Sequence, residues 1–191
     1  MKPADSMELV WPAERYLASY IAALEQGWSG DNVRGQAAPQ EELAEIARDP
    51  AAFLAGLVDR QAKGPPIELP DGTKAQRLPG YRRWMWDGEF CGSIGFRWEP
   101  GTSELPPHVL GHIGYAVVPW KRGRGYATRA LKLTLDAAKA EGLTYVDLTT
   151  DDDNPPSQRV ITANGGVLLE RFTKIAAYGG AESLRFRIAL R

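Results

Sequence analysis

The 191-residue chain has one cysteine, two histidines and almost no net charge, and no apolar run approaches the roughly 20 residues a membrane-spanning helix needs. Each shortage excludes something. Cys91 alone cannot close an internal disulfide, so no oxidising compartment is called for. His108 and His112, four apart with no third ligand nearby, make a poor metal site, and no metal is expected. With 23 Lys and Arg against 24 Asp and Glu, the chain lacks the cationic excess that displaces counterions from nucleic acid. Any polyanion it holds is small and held locally. The N-terminus has neither a basic segment before an apolar run nor a cleavage signature, so the expected location is cytoplasmic, with no membrane partner. The length fits a single domain, and there is no internal repeat.

What is present divides near residue 80. Met7 to Trp11 reads as a short strand, and Pro12 opens a helical pattern in which Tyr16, Leu17, Tyr20, Ile21 and Leu24 recur at three- and four-residue spacing. A second helical region runs from about Gln40 to Lys63. It restarts at Asp49-Pro50, where Asp accepts an orphan amide and Pro omits one, and it ends near Gly64. The prolines and glycines of residues 64–80 predict a loop or flap without regular structure. Tyr81 to Trp86 and Phe90 to Trp98 then form a hairpin around Asp87-Gly88, a pair suited to a type I′ turn. Gly111 to Val118 is a strand, and Gly125 to Glu141 a helix with Ala127, Leu131, Leu135 and Ala138 on one face, closed by Gly142. Tyr145 to Thr150 is a strand, Ser157 to Ala163 a short helix stopped at Asn164-Gly165-Gly166, and Val167 to Phe172 and Leu184 to Leu190 are strands. Several strands followed by one strand-helix-strand crossover give an α+β class with a mixed central sheet.

The segment Val117-Val118-Pro119-Trp120-Lys121-Arg122-Gly123-Arg124-Gly125-Tyr126-Ala127-Thr128 joins a strand to a helix through glycine and positive charge. Free amides and the positive end of a helix dipole meet there, which makes an anion site. A P-loop would need Lys directly after the second glycine, and none is present. A dinucleotide fingerprint would need a third glycine where Thr128 stands, and Asp147, about 20 residues on, falls inside a strand rather than at its end. The remaining pattern is Arg/Gln-x-x-Gly-x-Gly/Ala, met by Arg122-Gly123-Arg124-Gly125-Tyr126-Ala127.

In that pattern the chain resembles the GNAT superfamily of acyl-CoA N-acyltransferases, whose pyrophosphate loop follows a strand ending in Val-x-Pro, as Val117-Val118-Pro119 does here. Asn154-Pro155-Pro156-Ser157, followed by Val160 to Gly166, is similar to the family's Asn-x-x-Ser segment. Gly111-His112-Ile113-Gly114-Tyr115 together with Gly125-Tyr126-Ala127-Thr128 is similar to a bacterial branch of predicted acetyltransferases. The resemblance covers about residue 80 to the end and little before it. It implies one GNAT-like domain over residues 1–191, with residues 1–80 an acceptor-side region and flap and 81–191 the acyl-CoA-binding core.

The resemblance further implies that two parallel strands, Gly111 to Val118 and Tyr145 to Thr150, splay apart around the pantetheine arm of acetyl-CoA, which bonds to the main chain at Val117 and Val118. Amides of residues 122–127 hold the diphosphate, with Lys121, Arg122 or Arg124 adding charge and Thr128 completing the loop. Asn154 and Ser157 touch the pantetheine or adenine side. The implied reaction is direct attack of a primary amine, on a small molecule or a peptide, on the acetyl thioester; a homodimer is one assembly the family allows. An acyl-CoA-binding protein with little turnover is the alternative. Polarisation of the thioester oxygen falls to the amide of Val117 or Val118. Many relatives carry Glu where His112 stands, so His112 is the candidate base, against a reading in which it pins local structure by hydrogen bonding. Relatives often place Tyr where this chain has Ile161, to protonate the departing thiolate. Isoleucine cannot donate, which leaves Tyr126, Tyr178 or unaided departure. Asp151-Asp152-Asp153 reads either as a lure for a cationic amine or as a solvated loop.

Overall fold

The computed structural model describes residues 6–31, 35, 37–69, 72–175 and 180–191. Strand β1 (Glu8–Val10) leads into helix α1 (Glu14–Glu25), whose stripe buries Leu17, Tyr20 and Leu24 and leaves Tyr16 and Ile21 half-buried at its margins. Helix α2 (Ala37–Arg48) gives way to α3 (Pro50–Gly56) at the expected restart, where the Asp49 carboxylate accepts from the Ala52 amide at 2.9 Å. Helix α3 stops at Gly56, short of the expected Gly64. Val58 and Asp59 instead form β2 (Val58–Asp59), and the Asp59 carboxylate accepts from the amides of Lys63 and Gly64 at 2.9 and 2.8 Å. A β-branched residue at a sheet edge and a side chain that competes for local amides both work against helix. Residues 64–80 are not wholly irregular either: β3 (Ile67–Glu68) and β4 (Lys74–Ala75) pair as a minimal hairpin.

The central hairpin is β5 (Gly80–Trp86) and β6 (Phe90–Arg97). Its tip is not the expected type I′ turn. Trp86 pairs with Phe90, so three residues form the tip, and Asp87 does not take the positive φ that such a turn requires. Cys91 bulges out of the ladder between the pairs Met85–Gly92 and Trp86–Phe90.

Strand β7 (Ile113–Val117), helix α4 (Tyr126–Ala140), strand β8 (Tyr145–Asp151), helix α5 (Pro155–Ala163) and strands β9 (Val167–Thr173) and β10 (Glu182–Ala189) complete the chain. They form two main sheets, one ordered β1-β5-β6-β7 with β2 also on β5, the other β8-β10-β9. This is the expected α+β class with the sheet parted between β7 and β8. Two aromatic-rich cores cover the larger sheet. One packs β5, β6 and β7 against Leu131 of α4 and Ile161 of α5; the other packs α1 to α3 on the opposite face around Tyr20, which stacks on Trp84 at 4.6 Å between ring centres. On α4 the buried residues are Tyr126, Ala130, Leu131, Thr134 and Ala138, while Ala127 and Leu135 are half-buried. Among the described residues, no helix is long and apolar enough to cross a membrane.

Candidate active site

Strands β7 and β8 meet at one end and separate at the other. At the closed end the His112 amide donates to Asp147 O at 2.8 Å, and the Asp147 amide donates to His112 Nδ1 at 2.9 Å. Beyond that point neither strand pairs with the other, so β7 presents an open edge. The ladder with β6 fixes which groups face it. Arg97 N–H bonds His112 O and Val118 N–H bonds Cys91 O, so by two-residue alternation Ile113, Tyr115 and Val117 turn their amides to the open side. Arg122 Nε reaching Val117 O at 3.3 Å agrees with that orientation.

Two expectations therefore separate. Val117 offers its amide to the cleft. Val118 is buried and its amide is committed to Cys91, so it cannot polarise a substrate oxygen.

The chain then makes a 3-10 turn over Pro119–Lys121, and the Arg122 amide donates back to Pro119 O at 3.3 Å. Gly123 and Gly125 both adopt left-handed φ, 74° and 77°, which residues with a Cβ rarely take. Gly125 caps α4, and the first amide bonded to it is that of Arg129, at 3.0 Å. The amides of Tyr126, Ala127 and Thr128 thus precede the first helical bond, beside the turn at Gly123 and Arg124 and at the positive end of a 15-residue helix. Arg122 is exposed and Arg124 half-buried, its guanidinium on Trp120 O at 3.2 Å, so both cations flank this mouth. The arrangement suits a diphosphate.

Lys121 does not join them. Its ammonium is buried, 3.1 Å from both Asp87 oxygens and 2.5 Å from Glu89, and Tyr126 donates its hydroxyl to Asp87 at 2.6 Å. Burial opposes the charge on Asp87, but the bonds from Tyr126 and Lys121 outweigh it and hold the carboxyl below its ordinary range. Burial and the Asp87 charge push the neighbouring Cys91 thiol up to about 12. The cluster ties the hairpin tip to the glycine loop, and it removes Tyr126 from the candidates for protonating a thiolate. Sequence reasoning missed it because Asp87 looked like a turn residue and Lys121 like a phosphate contact. Tyr178, the other candidate, lies outside the described residues.

Across the cleft, Asn154 caps α5, its side-chain oxygen accepting from the Ser157 amide at 3.2 Å. Tyr115 reaches over from β7: its hydroxyl lies 2.9 Å from Ser157 Oγ and 3.2 Å from Ser157 O. Burial raises the Tyr115 hydroxyl to about 12, opposed by the Ser157 bond, so it stays protonated. Ile161, one turn further along α5, is buried in the core. Strand alternation with Val117 was the signal that could have singled out Tyr115.

His112 sits apart from this group, about five residues, or roughly 16 Å, along the strand from Val117. It is fully buried, and its Nδ1 lone pair is occupied by the Asp147 amide. The proton therefore resides on Nε2, which leaves no site to accept another. Burial, with Arg187 and Arg97 nearby and Asp147 opposing, lowers its pKa. This geometry favours the reading in which His112 pins the closed end over the one in which it is a catalytic base. In the acidic run two of the three carboxylates are paired. Asp151 pairs with Lys174 and accepts from Ser183, and Asp152 pairs with Arg171. Among the described residues, no group of three or more His, Cys, Asp or Glu side chains could hold a metal ion.

A sheet parted beside a strand that ends in a glycine turn can seat a diphosphate-bearing coenzyme. The chain belongs to the acetyltransferase (GNAT) family, whose model matches residues 41–165. No curated protein sequence matches it. Among solved structures it is similar to the microcin C7 self-immunity acetyltransferase MccE, in complex with acetyl-CoA and AMP. Identity there is 14%, with 97% of this chain and 93% of that chain covered at a TM-score of 0.63. It is also similar to RimL, the ribosomal L7/L12 alpha-N-protein acetyltransferase in complex with coenzyme A (13%, 96% and 94%, 0.63), and to RimJ of Mycobacterium smegmatis (21%, 96% and 81%, 0.61). At these identities the likeness is one of fold.

Proposed function

We propose that the protein transfers the acetyl group of acetyl-CoA to a primary amine of a small molecule or peptide. The observation that carries this is the row of unbonded first-turn amides at the mouth of α4, beside the open edge of β7. Amides from Gly123 to Thr128 hold the diphosphate, Arg122 and Arg124 neutralise it, and the pantetheine arm lies between Val117 and the first turn of α5, where Asn154 and Ser157 stand. The Val117 amide polarises the thioester oxygen as the amine nitrogen bonds to its carbon. The carbon–sulfur bond then breaks. Tyr115, with Ser157, gives a proton to the departing thiolate and regains it from water, while the amine's surplus proton passes to solvent. His112 acts as a positioning residue. MccE and RimL, solved with acetyl-CoA and coenzyme A, support this choice of co-substrate.

Thiol release from acetyl-CoA across a panel of amines tests the reading. Amine-dependent thiol is expected. Saturable coenzyme A affinity with no amine-dependent thiol would instead mark an acyl-CoA binder without turnover.

A further inference from the structure

A cleft of about 270 Å³ opens on the face of the larger sheet that carries α1 to α3, lined on the flap side by Ile67 and residues 76–78. Its floor includes Arg82 and Gly95, a cross-strand pair on β5 and β6, and Gly114 of β7 pairs with Gly95 beside it. A Cβ at Gly95 would meet nothing nearer than main-chain oxygens at 3.7 and 3.9 Å, and at Gly114 nothing within 4 Å. The paired glycines therefore leave a bare trough, and along β7 it runs towards Val117, three residues on and roughly 10 Å away.

The walls are cationic. Arg77, Arg82 and Arg97 line the cleft, and among the described residues that line it the one carboxylate is Asp59, which is already held by two main-chain amides. Arg77 Nε bonds Pro65 O at 3.2 Å and Arg82 neighbours the Tyr20 hydroxyl. A guanidinium carries five N–H donors, so Arg77 and Arg82 keep donors beyond these contacts. Three guanidiniums around a bare floor match an anionic oxygen group that accepts in pairs.

We infer that the acceptor is anchored in this cleft by an anionic group, a carboxylate or phosphate, which places an amine about 10 Å away at the thioester. This rests on the acetyltransferase reading and names its substrate class. The test compares triglycine, its C-terminal amide and a phosphonate-ended amine of equal length as acceptors. Triglycine or the phosphonate should show a KM at least tenfold below that of the amide, and the lower of the two identifies the group. Arg97→Glu, at an exposed position, should remove the difference. Gly95→Leu, whose side chain enters the cleft, should raise the KM of the anionic acceptor by a similar factor. In all variants the melting shift with coenzyme A should persist. Equal KM values for charged and neutral acceptors, acceptance of none of the three, or indifference to both substitutions would overturn the inference. Loss of the coenzyme A shift in the unaltered protein would instead overturn the acetyltransferase reading beneath it.

Discussion

Replacing Lys121 with Met should unfasten the glycine loop from the hairpin tip. The Lys121 and Asp87 side chains are 7% and 1% exposed, so removing the ammonium strands a carboxylate away from water. Breaking a buried pair from one side costs about 3–5 kcal/mol. Tyr126 still donates to Asp87 and Met fills most of the vacated volume, which places the loss near the lower figure, about 3 kcal/mol. That is roughly a hundredfold in the folding equilibrium and, for a domain of this size, a fall in Tm of about 6–12 °C. Urea denaturation measures it, with the exposed pair Arg171–Asp152 as the control; Arg171→Ala there should cost at most about 1 kcal/mol. The double variant Lys121→Met with Asp87→Asn should recover part of the loss, because neither charge is then left alone. Coenzyme A affinity should fall along with stability, since the amides after Lys121 lose their fixed frame. A loss no larger than that of the exposed control would refute the reasoning.

His112→Asn keeps an acceptor for the Asp147 amide and removes the titrating ring. In the parent protein burial depresses the histidine pKa, so the unfolded chain takes up the proton first. Stability should fall as pH drops below the ordinary value of about 6.5, by up to about 1.4 kcal/mol per unit, until the folded pKa is reached. Melting curves from pH 7.5 to 5 should be flatter in the variant, and kcat at pH 7.5 should change less than tenfold; a larger loss with folding intact would restore His112 as a base. Gly125→Val should abolish coenzyme A binding by calorimetry, because valine rejects the left-handed φ of 77° and crowds the phosphate approach. Tyr115→Phe combined with Ser157→Ala should lower kcat by about 10²-fold or more with little change in coenzyme A affinity, and an unchanged kcat would clear both hydroxyls.

Several elements of the fold were legible because their signals are local. The Asp49-Pro50 restart and the glycines around α4 each act within four residues, so chain order alone exposes them. The parts that went unread depend on partners far away in sequence. Asp87 and Lys121 stand 34 residues apart, and nothing near Asp87 announces that its carboxylate turns inward rather than serving a tight turn. In the sequence alone His112 fits two roles; Asp147, 35 residues on, occupies its lone pair. Two-residue strands carry no periodicity, so the sequence predicts only an irregular flap there. Its cationic cleft exists only once the flap lies over β5 and β6.

Cys91 gives this anchor a built-in reporter. Sealed behind the hairpin tip with its thiol held far from ionisation, it should resist alkylation at neutral pH for as long as the tip stays down. Labelling can then proceed no faster than the tip lifts, so a maleimide time course would read the breathing of the glycine loop without any engineered probe, and added coenzyme A should slow that clock.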